Sequence, residues 1–193
     1  MNKNLSTIQK IAFTGVIAAL SYAVFTFLKI PLPGNTSAIH LGNAVVVIGA
    51  LLLGGFYGGL GGAIGMTIAD LMHPQYIMYA PTTLILKLCI GLVTGFIAHR
   101  LGKINEESDQ KKVFIWTLLA AICGLLFNMI FSPLLNYLYN RLIIGKSAAE
   151  VALSWNLVAS GINAVASGVV AVAVYLALRP ALRKSGINLL PRG

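Results

Sequence analysis

The sequence has few acidic residues and little charge overall. Only 5 of its 193 residues are Asp or Glu, 14 are Lys or Arg, and charged residues make up 10% of the chain, whereas 58% is hydrophobic. A soluble domain of this size needs much more charge to cover its surface. The composition therefore indicates an integral membrane protein and argues against a soluble domain that binds nucleic acid.

Cysteine and catalytic motifs are also scarce. Cys89 and Cys123 lie in apolar segments and lack the CxxC spacing of metal or redox sites. The sequence contains no HExxH, no GxSxG and no Walker-type phosphate loop. We therefore expect no enzyme activity, no metal site and no cofactor, so that any ATP hydrolysis would take place in partner subunits.

Long apolar runs fill most of the chain. A helix that crosses a bilayer needs about 20 apolar residues. Such segments are predicted at approximately 7–28, 41–53, 56–72, 82–100, 113–140 and 149–178. The predicted fold class is an all-α integral membrane protein, with residues 1–193 forming a single domain that is a bundle of six transmembrane helices.

The basic residues predict the orientation of this bundle. With six spans, ten of the 14 lysines and arginines lie on the side of the termini, three on the other side, and Lys87 within a span. Loops rich in Lys and Arg face the cytoplasm. Both termini are therefore predicted to be cytoplasmic.

Polar residues within the spans lie at similar depths, in the outer half of the predicted bundle. Ionisable groups in apolar spans are costly and usually functional. Two interpretations remain open: Asp70 and Lys87 pair to hold two helices together, or they line a polar pocket that is open to the outside. The candidate binding residues are His40, Asn43, Asp70, Tyr79, Lys87, Asn128, Trp155 and Asn156, and Tyr76, Asn136 and Asn163 are predicted at a similar depth.

Two further segments are candidates for function. Residues 29–40, with Pro31, Pro33 and Asn35, form a long connection that indicates a lid rather than a simple turn. In the first span, small residues four positions apart allow another helix to approach closely. These residues are Thr14, Gly15, Ala18 and Ala19, and they fit either internal packing or a partner interface.

Several motifs resemble those of a known family. They are IHLGN at 39–43, LLLGGFYGGLGGAIG at 51–65, Ala69-Asp70-Leu71, Ala80-Pro81-Thr82, Lys87, Gly91 and Gly95. The chain resembles the substrate-binding S-component of energy-coupling factor (ECF) vitamin transporters over essentially its whole length. It is most similar to the branch with riboflavin-like and hydroxymethylpyrimidine- or pyridoxine-type S-components, and the pantothenate carriers are a close alternative.

The resemblance implies a subunit of the bacterial plasma membrane that captures a vitamin from outside. Such a subunit docks on a coupling transmembrane subunit with two cytoplasmic ATPases and topples to deliver its cargo. In the family, small residues of the first helix contact the coupling subunit, a role that falls here to Gly15 and Ala19 or to Thr14 and Ala18. The loop after that helix serves as the lid.

The ligand depends on how the two charges are arranged. A free Lys87 would attract an anion such as pantothenate. A paired Asp70 and Lys87 would suit a hydroxylated aromatic ring stacked on Tyr79 or Trp155. The alternative of another class is a stand-alone secondary carrier or channel, in which Asp70 and Lys87 relay protons.

Overall fold

Six α-helices form most of the structure. The computed structural model describes residues 5–32, 37–144 and 149–184. Within these ranges each helix overlaps one predicted segment, and the last helix extends six residues beyond its predicted end at 178. They are α1 (Thr7–Phe27), α2 (Gly42–Leu53), α3 (Gly55–Leu71), α4 (Ala80–Gly95), α5 (Gln110–Tyr139) and α6 (Ala149–Lys184).

Not every helix is long enough to cross a bilayer by itself. Within the described ranges, four helical segments have sufficient length and hydropathy: Thr7–Phe27, Ile77–Leu101, Gln110–Ile143 and Leu153–Lys184. Helix α2 has only 12 residues, and all of them are buried; α3 has 17. Helix α2 is therefore surrounded by protein along its whole length. The six-span count and the cytoplasmic termini stay predictions.

Local signals in the sequence account for the helix ends. Ser6 and Gln9 form a reciprocal capping box at the start of α1, and the Asp109 side chain caps α5. Gly54 separates α2 from α3 with a φ of 85°, a conformation that a residue with a Cβ rarely adopts. Helix α5 continues through Pro133.

Helices α3 and α4 pack with their backbones nearly touching. A Cβ added to Gly91 would lie 2.2 Å from the Cα atom of Gly59. Similarly, a Cβ on Gly58 would lie 2.0 Å from the carbonyl carbon of Gly49 in α2. The glycine-rich segment therefore allows α3 to lie against two neighbouring helices at distances that larger residues exclude.

A pair of short strands replaces part of the predicted loop. Strands β1 (Lys29–Pro31) and β2 (Ala38–His40) are antiparallel, with Lys29 opposite His40. Residues 29–40 are predicted to form a lid, and backbone pairing orders both ends of this segment. Pro31 lies in β1, while Pro33 and Asn35 lie outside the described residues.

Candidate functional site

A polar cavity lies beneath the two strands, among the helices. The space open to the centres of water molecules is about 80 Å³. One water molecule needs about 10–15 Å³ of such space, so the cavity has room for several. All six helices, the second end of the α1–α2 connection and the turn after α3 contribute side chains. The lining residues are Phe25, Ser37, Ala38, His40, Asn43, Met66, Asp70, Tyr76, Tyr79, Thr83, Leu86, Lys87, Asn128, Ser132, Asn136, Asn156, Ser160 and Asn163.

Most of the candidate binding residues meet at this cavity. Seven of the eight line it: His40, Asn43, Asp70, Tyr79, Lys87, Asn128 and Asn156. Trp155 is not among the lining residues, although its neighbour in α6, Asn156, is. Successive helical residues point about 100° apart. A ligand in this cavity would therefore not stack on Trp155.

Sequence reasoning missed several hydroxyl and apolar lining residues. The hydroxyls belong to Thr83, Ser132 and Ser160, and the apolar side chains to Phe25, Met66 and Leu86. The hydroxyls lie four residues from candidate residues of the same helix, before Lys87 and after Asn128 and Asn156 respectively. Residues four apart share a helix face, so this spacing could have identified them.

The two opposite charges in the cavity bind different partners. The hydroxyl of Thr83 donates to Asp70 Oδ2 at 2.6 Å, and Lys87 Nζ donates to Asn128 Oδ1 at 3.0 Å. The closest pairing of opposite charges in the described ranges is Lys112–Glu107 at 3.9 Å on the surface, and no Asp70–Lys87 contact falls within 4.0 Å. The direct Asp70–Lys87 pair, one of the two interpretations from sequence, is not formed.

The side chain of Asn163 attaches strand β2 to α6. Its Oδ1 accepts from the backbone N–H of His40 at 2.8 Å, and its Nδ2 donates to the carbonyl of Ala38 at 2.9 Å. The ring of His40 packs edge-on against Phe25, with centroids 4.7 Å apart. Strand β2 therefore covers the cavity in a fixed position.

Strand β1 is held by contacts between the ammonium of Lys29 and two aromatic rings. The ammonium of Lys29 lies 4.1 Å from the centroid of the Tyr76 ring and 4.9 Å from that of Phe25, within the range of cation–π attraction. Burial lowers the pKa of Lys29, and the Asp70 carboxylate partly opposes this. Burial also raises the pKa of Tyr76, and the same carboxylate adds to the effect. The Tyr76 phenol therefore remains neutral at physiological pH.

Hydrogen bonds between the residues at the start of α4 and those at the end of α5 fix one wall of the cavity; Tyr79 immediately precedes α4 and Asn140 immediately follows α5. The Tyr79 hydroxyl donates to Asn140 Oδ1 at 2.8 Å, and the Thr82 hydroxyl lies 2.9 Å from Asn136 Oδ1. Because both bonds are buried or partly buried, they hold the two helices in register. Tyr79 thus supports the cavity as well as lining it.

Comparison with known proteins identifies the family. The sequence profile described as "ECF-type riboflavin transporter, S component" matches residues 4–180. The chain belongs to this S-component family. It is also similar to UPF0397 proteins of Streptococcus pneumoniae strains Hungary19A-6, 70585 and R6, each 27% identical over 180 residues, which cover 93% of this chain and 94% of the relative. No solved structure matches significantly.

Membership in the S-component family defines the kind of activity that the chain has. S-components are subunits of vitamin transporters that bind the substrate; they are not enzymes, and they work with a module of transmembrane and ATPase subunits. The long apolar helices agree with a multi-pass protein of the bacterial membrane. The vitamin is not determined by membership.

The small residues of the S-component's first helix lie on two different faces. Thr14 and Ala18 pack against α3: a Cβ on Gly61 would lie 2.7 Å from the Thr14 carbonyl oxygen, and one on Gly65 would lie 2.1 Å from that of Ala18. Gly15 has no neighbouring atom within 4 Å of a would-be Cβ. Gly15 and Ala19 are both exposed. Of the two candidate pairs, Gly15 and Ala19 are the ones that remain accessible to a partner.

Proposed function

We propose that the chain is the binding subunit of an ATP-driven ECF importer and captures a water-soluble vitamin of the pyridoxine or hydroxymethylpyrimidine type from outside. The observation that carries this proposal is the cavity itself, which combines a carboxylate, an ammonium and several amides beneath a covering strand. A vitamin of this type is a single ring that carries polar substituents. The amides and hydroxyls would read the polar edge of that ring.

Pantothenate is the second candidate. The supporting observation is that, among the described residues, Lys87 donates to a neutral amide, Asn128, and not to Asp70. An anionic carboxylate would therefore gain a charged partner. The nearby Asp70 opposes this alternative, because its carboxylate repels the same anion.

Mass spectrometry of the bound molecule tests the proposal directly. The full chain is purified in detergent and denatured, and the released small molecules are identified. A pyridine or pyrimidine vitamin supports the proposal, and pantothenate supports the second candidate. An empty cavity combined with no binding of pyridoxine, hydroxymethylpyrimidine, pantothenate or riboflavin contradicts vitamin capture.

A transport assay separates this proposal from a stand-alone carrier. In vesicles that contain the chain alone, we expect no uptake of the identified vitamin. Uptake should require the coupling subunit, the two ATPases and ATP. Uptake by the chain alone that stops when the proton gradient collapses would instead favour a carrier in which Asp70 and Lys87 relay protons.

We further propose that Gly15 and Ala19 form the contact with the coupling subunit, on which the protein topples. Gly15→Leu places a bulky side chain on the exposed face of α1, where no atom of the described residues lies within 4 Å of the new Cβ. We expect normal folding and vitamin binding by the isolated variant, but uptake reduced about tenfold or more in the complete transporter, because the close helix approach is lost.

The matched control is Ala173→Leu, which places the same leucine side chain at an exposed position of α6. Its uptake should equal that of the original chain. Normal uptake by the Gly15→Leu variant would contradict the proposed contact.

A further inference from the structure

The two charges of the cavity have incomplete hydrogen-bonding shells. Asp70 is 3% exposed and Lys87 6% exposed. Thr83 is the one side chain of the described residues that donates to the carboxylate, and it binds only Oδ2. Asn128 is likewise the one described acceptor for the ammonium, which carries three donor hydrogens. One carboxylate oxygen and two ammonium hydrogens therefore lack a partner in the described part of the chain.

The fold holds these charges apart although pairing would satisfy both. A buried charge without a partner is costly, and direct pairing is the simplest way to reduce that cost. Thr83 and Asn128 instead hold the two groups in separate positions, and no contact between them falls within 4.0 Å. Lys29, the other cation nearby, lies over the Tyr76 ring and not in the cavity lining. The lining thus presents one negative and one positive group with unused bonding capacity.

We infer that the cavity selects a ligand of zero net charge that offers a hydrogen-bond donor to Asp70 and an acceptor to Lys87. The inference rests on the proposed function and narrows its substrate class. A neutral or zwitterionic molecule satisfies both groups and leaves the buried site without excess charge. An anion leaves the carboxylate unsatisfied and repelled, and a cation does the same to the ammonium. Asn43 Oδ1, also buried without a partner among the described residues, provides a further acceptor for a donor on the ligand.

Titration of two neutralising variants tests this inference. The full chain in detergent is titrated calorimetrically with five probes. Pyridoxine, hydroxymethylpyrimidine and riboflavin carry no net charge, pantothenate is an anion and thiamine is a cation. The variants are Asp70→Asn and Lys87→Met, and the matched controls are Glu106→Gln and Lys111→Met, which neutralise exposed residues. We expect a probe without net charge to bind most tightly and each cavity variant to weaken its binding about tenfold or more.

Whether each variant tightens or weakens the binding of a probe distinguishes the other outcomes. Tightest binding of pantothenate, made tighter by Asp70→Asn, would overturn the inference in favour of an anion site. Tightest binding of thiamine, made tighter by Lys87→Met, would overturn it in favour of a cation site. An uncharged probe whose affinity neither variant changes would also overturn it, since the charges would then not contact the ligand. All three results leave vitamin capture intact.

Failure to bind any probe and failure of a variant to fold each have a definite meaning. If none of the five probes binds, vitamin capture fails and the inference fails with it. If a cavity variant does not fold, as judged by its thermal unfolding, the ranking of the five probes on the original chain decides. Tightest binding of an uncharged probe then supports the inference, and that of a charged probe overturns it.

Discussion

At the scale of single residues, Asn163 connects the covering strand to the helix bundle. Its amide satisfies one donor and one acceptor of the β2 backbone and is 4% exposed. Asn163→Ala leaves both backbone groups buried without partners, at a cost of about 1–3 kcal/mol for each. We predict a lower thermal unfolding midpoint in detergent and a faster release of bound vitamin, measured by stopped-flow fluorescence.

Two further variants separate the effect of the two Asn163 hydrogen bonds from that of side-chain packing. Asn163→Asp keeps the acceptor for the His40 N–H but loses the donor to Ala38, so it should release ligand at an intermediate rate. Val165→Ala, at an exposed position of the same helix, should behave like the original chain. Equal release rates for all three variants would contradict a holding role for Asn163.

The residue types of the site could be predicted from the sequence, but their partners could not. Asp70, Lys87 and the asparagines are conspicuous because polar groups in apolar spans are costly, and span boundaries give their approximate depth. The bond from Lys87 to Asn128 joins positions 41 residues apart. It depends on how two helices are rotated about their axes, and hydropathy does not determine that rotation. The same reason explains why Trp155 was predicted in the site and Ser160 was not.

At the scale of helices, the contact between α3 and α4 requires glycine at both positions of closest approach. Gly91→Ala places a Cβ 2.2 Å from the Cα atom of Gly59, so the helices must separate. We predict a loss of about 1–3 kcal/mol, observed as a lower unfolding midpoint of the purified chain.

Helix propensity alone predicts the opposite change. Alanine stabilises a helix interior by about 0.5–1 kcal/mol relative to glycine. Gly161→Ala in α6, where the nearest atom would be 3.9 Å away, should therefore be neutral or stabilising. A Gly91→Ala variant as stable as the Gly161→Ala variant would show that the α3–α4 contact tolerates a methyl group.

Secondary structure was more predictable for the helices than for the covering strands. The helices follow from apolar length and from residues that favour helix ends, such as Ser6 and Gly54. The strands contain three residues each, and Pro31 in β1 cannot donate a backbone hydrogen bond. The three-residue strand β2 is also hydrogen-bonded to Asn163, a residue of α6 that is distant in the sequence. Local sequence carries no sign of such support.

At the scale of the whole molecule, the distribution of basic residues predicts which side faces the cytoplasm. With Cys89 and Cys123 replaced by alanine, single cysteines are introduced at Ser108, in the charged loop, and at Leu142, which is 74% exposed near the opposite end. A membrane-impermeant maleimide should label Leu142→Cys in intact cells, and Ser108→Cys only after lysis, because Lys- and Arg-rich loops remain inside.

Labelling after lysis serves as the internal control, since both cysteines should then react. The reverse pattern in intact cells would place the termini outside. The cavity, which lies near the Leu142 end through Tyr79 and Asn140, would then open toward the cytoplasm, and capture from outside would be contradicted.

The order in which the ribosome makes the chain gives the Asn163 contact a further consequence. The amide binds backbone groups 123 and 125 positions earlier in the sequence. The strand that covers the cavity therefore emerges long before its support is synthesised, and nascent chains that end before α6 lack the anchor. A contact between positions so far apart in the sequence carries a loop-closure entropy cost. The covering strand is thus anchored only once Asn163 has been made, and a chain truncated before Asn163 would be inserted without that anchor.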